Sequence, residues 1–273
     1  MRGPMQDETF NLKGYTLPLT PEGKSSLVQT PPWYYGGELM QLLFKADPGQ
    51  ARRFIPAPLE MGPEPGAGII WFVEWVSVSE TDPDLAFRNP ERAIYKECIV
   101  LLQCSFQGEV GYLVPFIWVD NDFTLMRGFI QGFPKVLGRI YMTRLHEMNP
   151  LVGGRQAGAK LKGICESCGE RVVEGSLILK EKAERAALPK VKFFLLRHMP
   201  SIENPEQAVV HEIATSIASL EVDHIWRGDA DIKFTSVFNE ELQRLMPLEV
   251  QGGFYHSAGL KISGGRVLHR YKI

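Results

Sequence analysis

The chain has no apolar run of the roughly 18–20 residues that a membrane-crossing helix needs, so no membrane partner is expected. It has no surplus of positive charge either. Its 30 Lys+Arg stand against 32 Asp+Glu, a net charge of −2. No basic stripe is interleaved with aromatics, which excludes nucleic acid as an expected partner. The six histidines show neither HxH nor HxxxH spacing, so no metal site is expected. GxSxG, a P-loop and a GxGxxG placed after a strand are all missing. The glycine runs MGPEPGAG and ISGGRV have no helix start behind them to hold a phosphate. Cysteine is scarce, with four residues. Cys98 and Cys104 lie in apolar segments and read as small buried hydrophobes. Cys165 and Cys168 form a single CxxC, GICESCG, which supplies two ligands where a structural zinc takes four. It reads as a turn between strands, with redox sensing or a shared metal as alternatives. The first residues, MRGPMQDETFNLKGY, lack the apolar core of a signal peptide, which predicts a cytoplasmic protein.

What is present is an ordinary globular composition, 44% hydrophobic and 23% charged, enough for a full core. The chain reads as a single domain over residues 1–273, with a polar, proline-rich arm over residues 1–33. A short helix is expected after Asp47-Pro48. Strand patterns then dominate: IIWFVEWVSV, AIYKECIVLLQCSF, GYLVPFIWVD, RIYMTRL, QAGAKLKGIC, RVVEGSLILKEK, VKFFLLRH, AVVHEIATSI and GLKISGGRVLHRYKI. One helix, FTLMRGFIQ, follows the Asp120-Asn121-Asp122 turn. No long amphipathic helices alternate with the strands. The fold class is therefore α+β and β-rich, a mostly antiparallel sheet curled into a barrel with a few short helices.

Three charged residues stand in apolar company. Period-two alternation puts Glu74 on one face with Ile70, Phe72, Val76 and Val78, and Glu97 on one face with Tyr95, Ile99 and Leu101. A carboxylate so placed is costly unless paired. Either each glutamate meets an arginine or backbone donors, or a barrel interior that takes two acids is a cavity. The third residue is Lys135, in GFPKVLG. An ordinary lysine has a pKa near 10.4, so roughly one in two thousand is neutral at pH 7. Burial lowers that pKa, by up to about 3–5 units, and the neutral amine can then form a Schiff base with a ketone or aldehyde. Phe133, Pro134, Val136 and Leu137 supply apolar surroundings. The alternative is a lysine that snorkels from a turn into water. Tyr255 and His256, in GGFYHSAG, either line the barrel mouth as acid or base or belong to a turn.

The segment WVDNDFTLMRGFIQGFPKVLG resembles the active-site stretch of acetoacetate decarboxylases. There an Asp-Asn turn leads through a short helix to an aromatic-Pro-Lys-Lys-Leu-Gly motif. RRFIPAPLEM, FVEWV and YKECIVLLQCSF match further family segments in order, and the resemblance covers roughly residues 30–235. It implies a cone-shaped β-barrel, a homo-oligomer, and no metal or organic cofactor. It implies Lys135 as Schiff-base nucleophile, Glu97 as the proton-handling glutamate and Glu74 as a second active-site glutamate. The expected activity is decarboxylation of acetoacetate or a related small β-keto acid to CO2 and a ketone. The alternatives are an imine-dependent aldolase or dehydratase on another keto acid, and a non-catalytic small-molecule-binding barrel. Two positions depart from the family. Val136 replaces the second lysine, and a neighbouring cation is a known way to activate the amine in acetoacetate decarboxylase; desolvation, to which Val136 is expected to add, remains. Gly37 stands where the family has an arginine suited to a carboxylate. Arg92, Arg127 or Arg88 can take over that contact.

Overall fold

The computed structural model describes residues 10–235 and 241–272. Residues 1–9 of the expected arm and Ile273 of the last expected strand lie outside them. The strands are β1 (Trp33–Lys45), β2 (Glu60–Met61), β3 (Ala67–Ser79), β4 (Ile94–Phe106), β5 (Glu109–Val119), β6 (Lys135–Leu137), β7 (Arg139–Met142), β8 (Lys160–Ser167), β9 (Glu170–Lys182), β10 (Phe193–Pro200), β11 (Ala208–Phe234) and β12 (Glu249–Arg270). The α-helices are α1 (Pro48–Arg52), α2 (Leu85–Arg88) and α3 (Asp122–Gln131). All the strands join one sheet in the order β10-β5-β4-β3-β1-β12-β11-β9-β8-β7, with β2 on β4 and β6 on β5. Pairing is antiparallel except where β5 meets β6 and β10. β10 also pairs with β11, so the sheet curls back on itself. The expected barrel is thus a curled sheet. No helix among the described residues is long and apolar enough to cross a membrane.

Alternation along the central strands makes two cores. Met40, Leu42, Phe72, Cys98, Val100 and Trp118 face one way and pack against Leu161, Val173 and Leu177 of the β8–β9 hairpin. Glycine makes the approach possible. A Cβ on Gly163 would lie 2.5 Å from the Phe72 ring, and one on Gly175 would lie 2.3 Å from Leu42 Cδ1. Leu39, Trp71, Val73, Trp75, Tyr95 and Ile99 face the other way, toward Phe123 of α3 and Leu195 of β10. The second face lines two neighbouring cavities. The arm packs on it through Val28, which is fully buried.

The CxxC ends β8 and enters the β8–β9 turn: Cys165 is buried in the strand opposite Val173, and Cys168 is exposed in the turn at φ 51°. Two strands run well past the sequence expectation. β11 and β12 run to 27 and 22 residues, far beyond AVVHEIATSI and GLKISGGRVLHRYKI. Tyr255 and His256 therefore sit inside β12 rather than at a turn.

Candidate active site

α3 begins at Asn121, whose side chain accepts from the Phe123 amide, and ends at Gly132 in the left-handed region at φ 94°. Glycine takes that conformation without a Cβ penalty. The chain then turns back as β6, which runs parallel to β5 with Lys135 opposite Ile117. Ile117 faces the second core, and Lys135 points there as well. Its Nζ lies 2.7 Å from Thr124 Oγ1 and 3.2 Å from Glu97 Oε2. The Lys135 and Glu97 side chains are 7% and 8% exposed. The other oxygen of Glu97 accepts from Trp75 Nε1 at 2.9 Å. The Lys135 ammonium also stands 5.3 Å from the Tyr95 ring centre and 5.8 Å from that of Phe133.

These neighbours pull the lysine in two directions. Burial is the largest effect and lowers its pKa; Glu97 raises it, and the Arg127 guanidinium lowers it. The net direction is down, which enlarges the neutral, nucleophilic fraction. Tyr95 is held well above its ordinary value, chiefly by burial and next by the Glu97 charge.

Arg127 is the second unusual cation. It is 4% exposed and donates to Tyr35 Oη at 3.0 Å and Ser77 Oγ at 2.8 Å. Its guanidinium carbon lies 5.0 Å from the Trp33 ring centre and 5.4 Å from those of Tyr35 and Phe123. Among the described residues no carboxylate forms an ion pair with it, and its Nε has no partner. Buried charges are normally paired, and here aromatic rings and two hydroxyl groups stand where a carboxylate would be expected. Arg127, Gln131, Glu97 and Lys135 line one cavity of about 50 Å³, walled by Tyr95, Trp71, Phe133 and Phe193. The Gln131 Oε1 in that wall also lacks a partner among the described residues.

The other expected residues fall elsewhere. Glu74 is opposite Lys96 in the register, one position off Glu97, and so faces away from Lys135. It pairs with Arg144 at 2.6 Å instead. Val136 alternates outward, is 46% exposed, and adds nothing to the desolvation of Lys135. Arg92 donates to the Leu27 carbonyl at 2.6 Å, and Arg88 pairs with Asp82, both away from the cavity. Tyr255 belongs to the first core, with Arg155 over its ring at 4.9 Å. His256 faces the second core but lines a neighbouring cleft rather than the Lys135 cavity. Gly37 leaves no room for any side chain: a Cβ there would meet the Glu74 carbonyl at 2.2 Å and Trp75 Cε3 at 2.7 Å. The Trp75 indole, bonded to Glu97, packs against that position.

Thr124, Trp75, Tyr35, Ser77 and Gln131 went unnoticed in the sequence. A readable pattern existed for two of them. Thr124, Arg127, Gly128 and Gln131 recur at i, i+3, i+4 and i+7, one face of a helix, and they carry small or polar side chains where apolar ones would be expected to face a core.

The acetoacetate decarboxylase of Clostridium botulinum is 24% identical over 222 residues, 81% of this chain and 80% of that protein. The enduracididine biosynthesis enzyme MppR complexed with pyruvate has the same fold with a TM-score of 0.88 at 33% identity, covering 96% of this chain and 99% of that one. The same enzyme complexed with the condensation product of pyruvate and imidazole 4-carboxaldehyde gives 0.89 at 32%, covering 97% and 99%. The family profile for acetoacetate decarboxylase (ADC) matches residues 16–272, and the chain belongs to that family.

Proposed function

We propose that Lys135 forms an imine with a small α-keto acid of the pyruvate class and that the enzyme uses the derived enamine to make a carbon–carbon bond to a carbonyl compound. The observation that carries this reading is the unpaired, buried Arg127 guanidinium in the same small cavity as a desolvated lysine. Lys135 Nζ attacks the keto carbon, water leaves, and a protonated imine results. Arg127 pairs with the carboxylate that stays. Loss of a proton from the adjacent carbon gives the enamine, with Glu97, 3.2 Å from Nζ, serving proton transfer at the nitrogen. Thr124 and Trp75 hold Lys135 and Glu97 in register through bonds of 2.7 and 2.9 Å.

Arg127 also weighs on which bond breaks. A cation that pairs with a carboxylate stabilises the ground state that decarboxylation destroys. It suits a reaction in which the carboxylate is retained. The MppR complexes with pyruvate and with its condensation product support the same substrate class. A second reading, decarboxylation of a β-keto acid, is supported by the relative named acetoacetate decarboxylase. Two assays separate the readings. Borohydride with pyruvate is expected to leave a carboxylate-bearing adduct on Lys135, and acetoacetate is expected to release little CO2. Rapid CO2 release from acetoacetate, with no pyruvate adduct, would reverse the order.

A further inference from the structure

The Lys135 cavity shares Trp71, Trp75, Phe193 and Leu260 with a larger cleft of about 740 Å³. Phe193 packs edge-on against Trp71 at 5.8 Å and Phe133 at 5.3 Å, so aromatic rings form the partition between the two spaces. The loop between β9 and β10 roofs the cleft, and although it also carries Glu184, the charged side chains it turns to the cleft are cations. Arg185, Lys190 and Lys192 line the space, and no carboxylate does among the described residues. Lys192 is paired with Glu109. Arg185 donates to the Leu220 carbonyl at 2.8 Å, and among the described residues neither it nor Lys190 forms an ion pair.

Three buried polar atoms of the lining residues lack partners among the described residues: Trp71 Nε1, Gln41 Nε2 and His256 Nε2. Their residues are 9%, 3% and 3% exposed, and buried polar atoms normally find partners. His256 Nδ1 lies 3.2 Å from the Ser257 carbonyl, which can only accept, so Nδ1 carries the hydrogen and Nε2 offers a lone pair. Burial lowers the His256 pKa and keeps the ring neutral. The cleft thus has flat apolar walls and cations at its mouth, with two buried N–H donors and one buried acceptor in the residues behind those walls.

We infer that this cleft binds a planar carbonyl compound bearing an anionic group, with its body against Trp71 and its anion toward Arg185 and Lys190. Its role as the second substrate rests on the imine reading of Lys135; its selectivity for a planar anion does not. In the joining step the enamine π pair forms the carbon–carbon bond. The acceptor C=O π pair moves to oxygen, and that oxygen takes up the proton released when the enamine formed.

Binding is measured by calorimetry with 4-(hydroxymethyl)benzoate and its neutral counterpart, benzyl alcohol. The carboxylate probe is expected to bind at least tenfold more tightly, and the exposed pair R185A/K190A is expected to remove the difference. Equal affinities, or a preference that survives R185A/K190A, would overturn the inference. In parallel, pyruvate is trapped on the unsubstituted protein, and 4-formylbenzoate and benzaldehyde are compared as acceptors. A Lys135 adduct without anion preference ends the cleft inference and leaves the imine. Anion preference without an adduct keeps the binding site and ends its role as second-substrate site. An adduct and anion preference with no pyruvate-dependent loss of 4-formylbenzoate overturns the second-substrate role alone. Faster loss of 4-formylbenzoate than of benzaldehyde supports it.

Discussion

Two charges of opposite sign bracket Lys135, and they make separate predictions. Glu97 favours its ammonium form, while burial and Arg127 disfavour it. Imine formation needs the neutral amine, so its rate is expected to rise with pH around a midpoint below the ordinary lysine value of about 10.4. Glu97→Gln removes a carboxylate that holds the proton, so that midpoint is expected to move lower. The amide keeps an acceptor for Trp75 Nε1, so the Tm is expected to change little, whereas kcat falls on the order of 10²–10⁴-fold if Glu97 handles protons. A wild-type kcat would return Glu97 to a purely structural role. Arg127→Met acts in the opposite sense on the lysine, raising the midpoint. It is expected to raise KM for pyruvate roughly 10²-fold, the cost of leaving a buried carboxylate without its cation, without a matching loss for acetone. Equal losses for both ligands would show that Arg127 only supports packing. The sequence singled out Lys135 and Glu97 as charges in apolar runs, and named Arg127 with Arg92 and Arg88 as candidate carboxylate contacts. It could not rank Arg127 against Arg92 and Arg88, since that ranking depends on which face of α3 meets the cavity.

At the scale of elements, α3 and β6 act together. Gly128 sits where a Cβ would come within 2.6 Å of Lys135 Cγ and Cδ. Alanine is the better helix former by about 1 kcal/mol, so Gly128→Ala is expected to cost little stability. It is also expected to push the lysine off Glu97 and Thr124, and adduct formation should fall by tenfold or more with the circular dichroism spectrum unchanged. Normal trapping in that variant would mean the lysine has room the geometry denies it. The helix was legible from its Asn121 cap and apolar run, and β3, β4 and β5 from period-two alternation. β6 was not, because three residues between Pro134 and Gly138 carry no period. The far half of β11 was missed for a different reason. From residue 218 to 224 the strand has no fully buried position, so no alternation marks it. At Glu74 one residue of register decides which face the carboxylate joins, and the pairing with β4 fixes it.

At the scale of the whole molecule, the two faces of one sheet separate the core under the β8–β9 hairpin from the one that holds the Lys135 cavity. Leu42 is fully buried in the face that carries the β8–β9 hairpin, so Leu42→Ala is expected to cost about 2–5 kcal/mol of stability. Below its lowered Tm, trapping at Lys135 should persist; loss of both together would tie the faces more closely than the packing does. Lysine burial is also a global cost. The native state holds this proton less tightly than the unfolded chain does, so its contribution to stability rises with pH from the native pKa to the unfolded value near 10.4 and is lost as pH falls. A fold accepts such a residue when the amine is used, and the most direct measurement asks whether it is. Pyruvate and borohydride are added together, and the labelled peptide is located by mass spectrometry. The expected result is a reduced adduct that retains the carboxylate, on Lys135 alone, absent in Lys135→Gln. An unmodified Lys135, with or without label on surface lysines, would contradict the account.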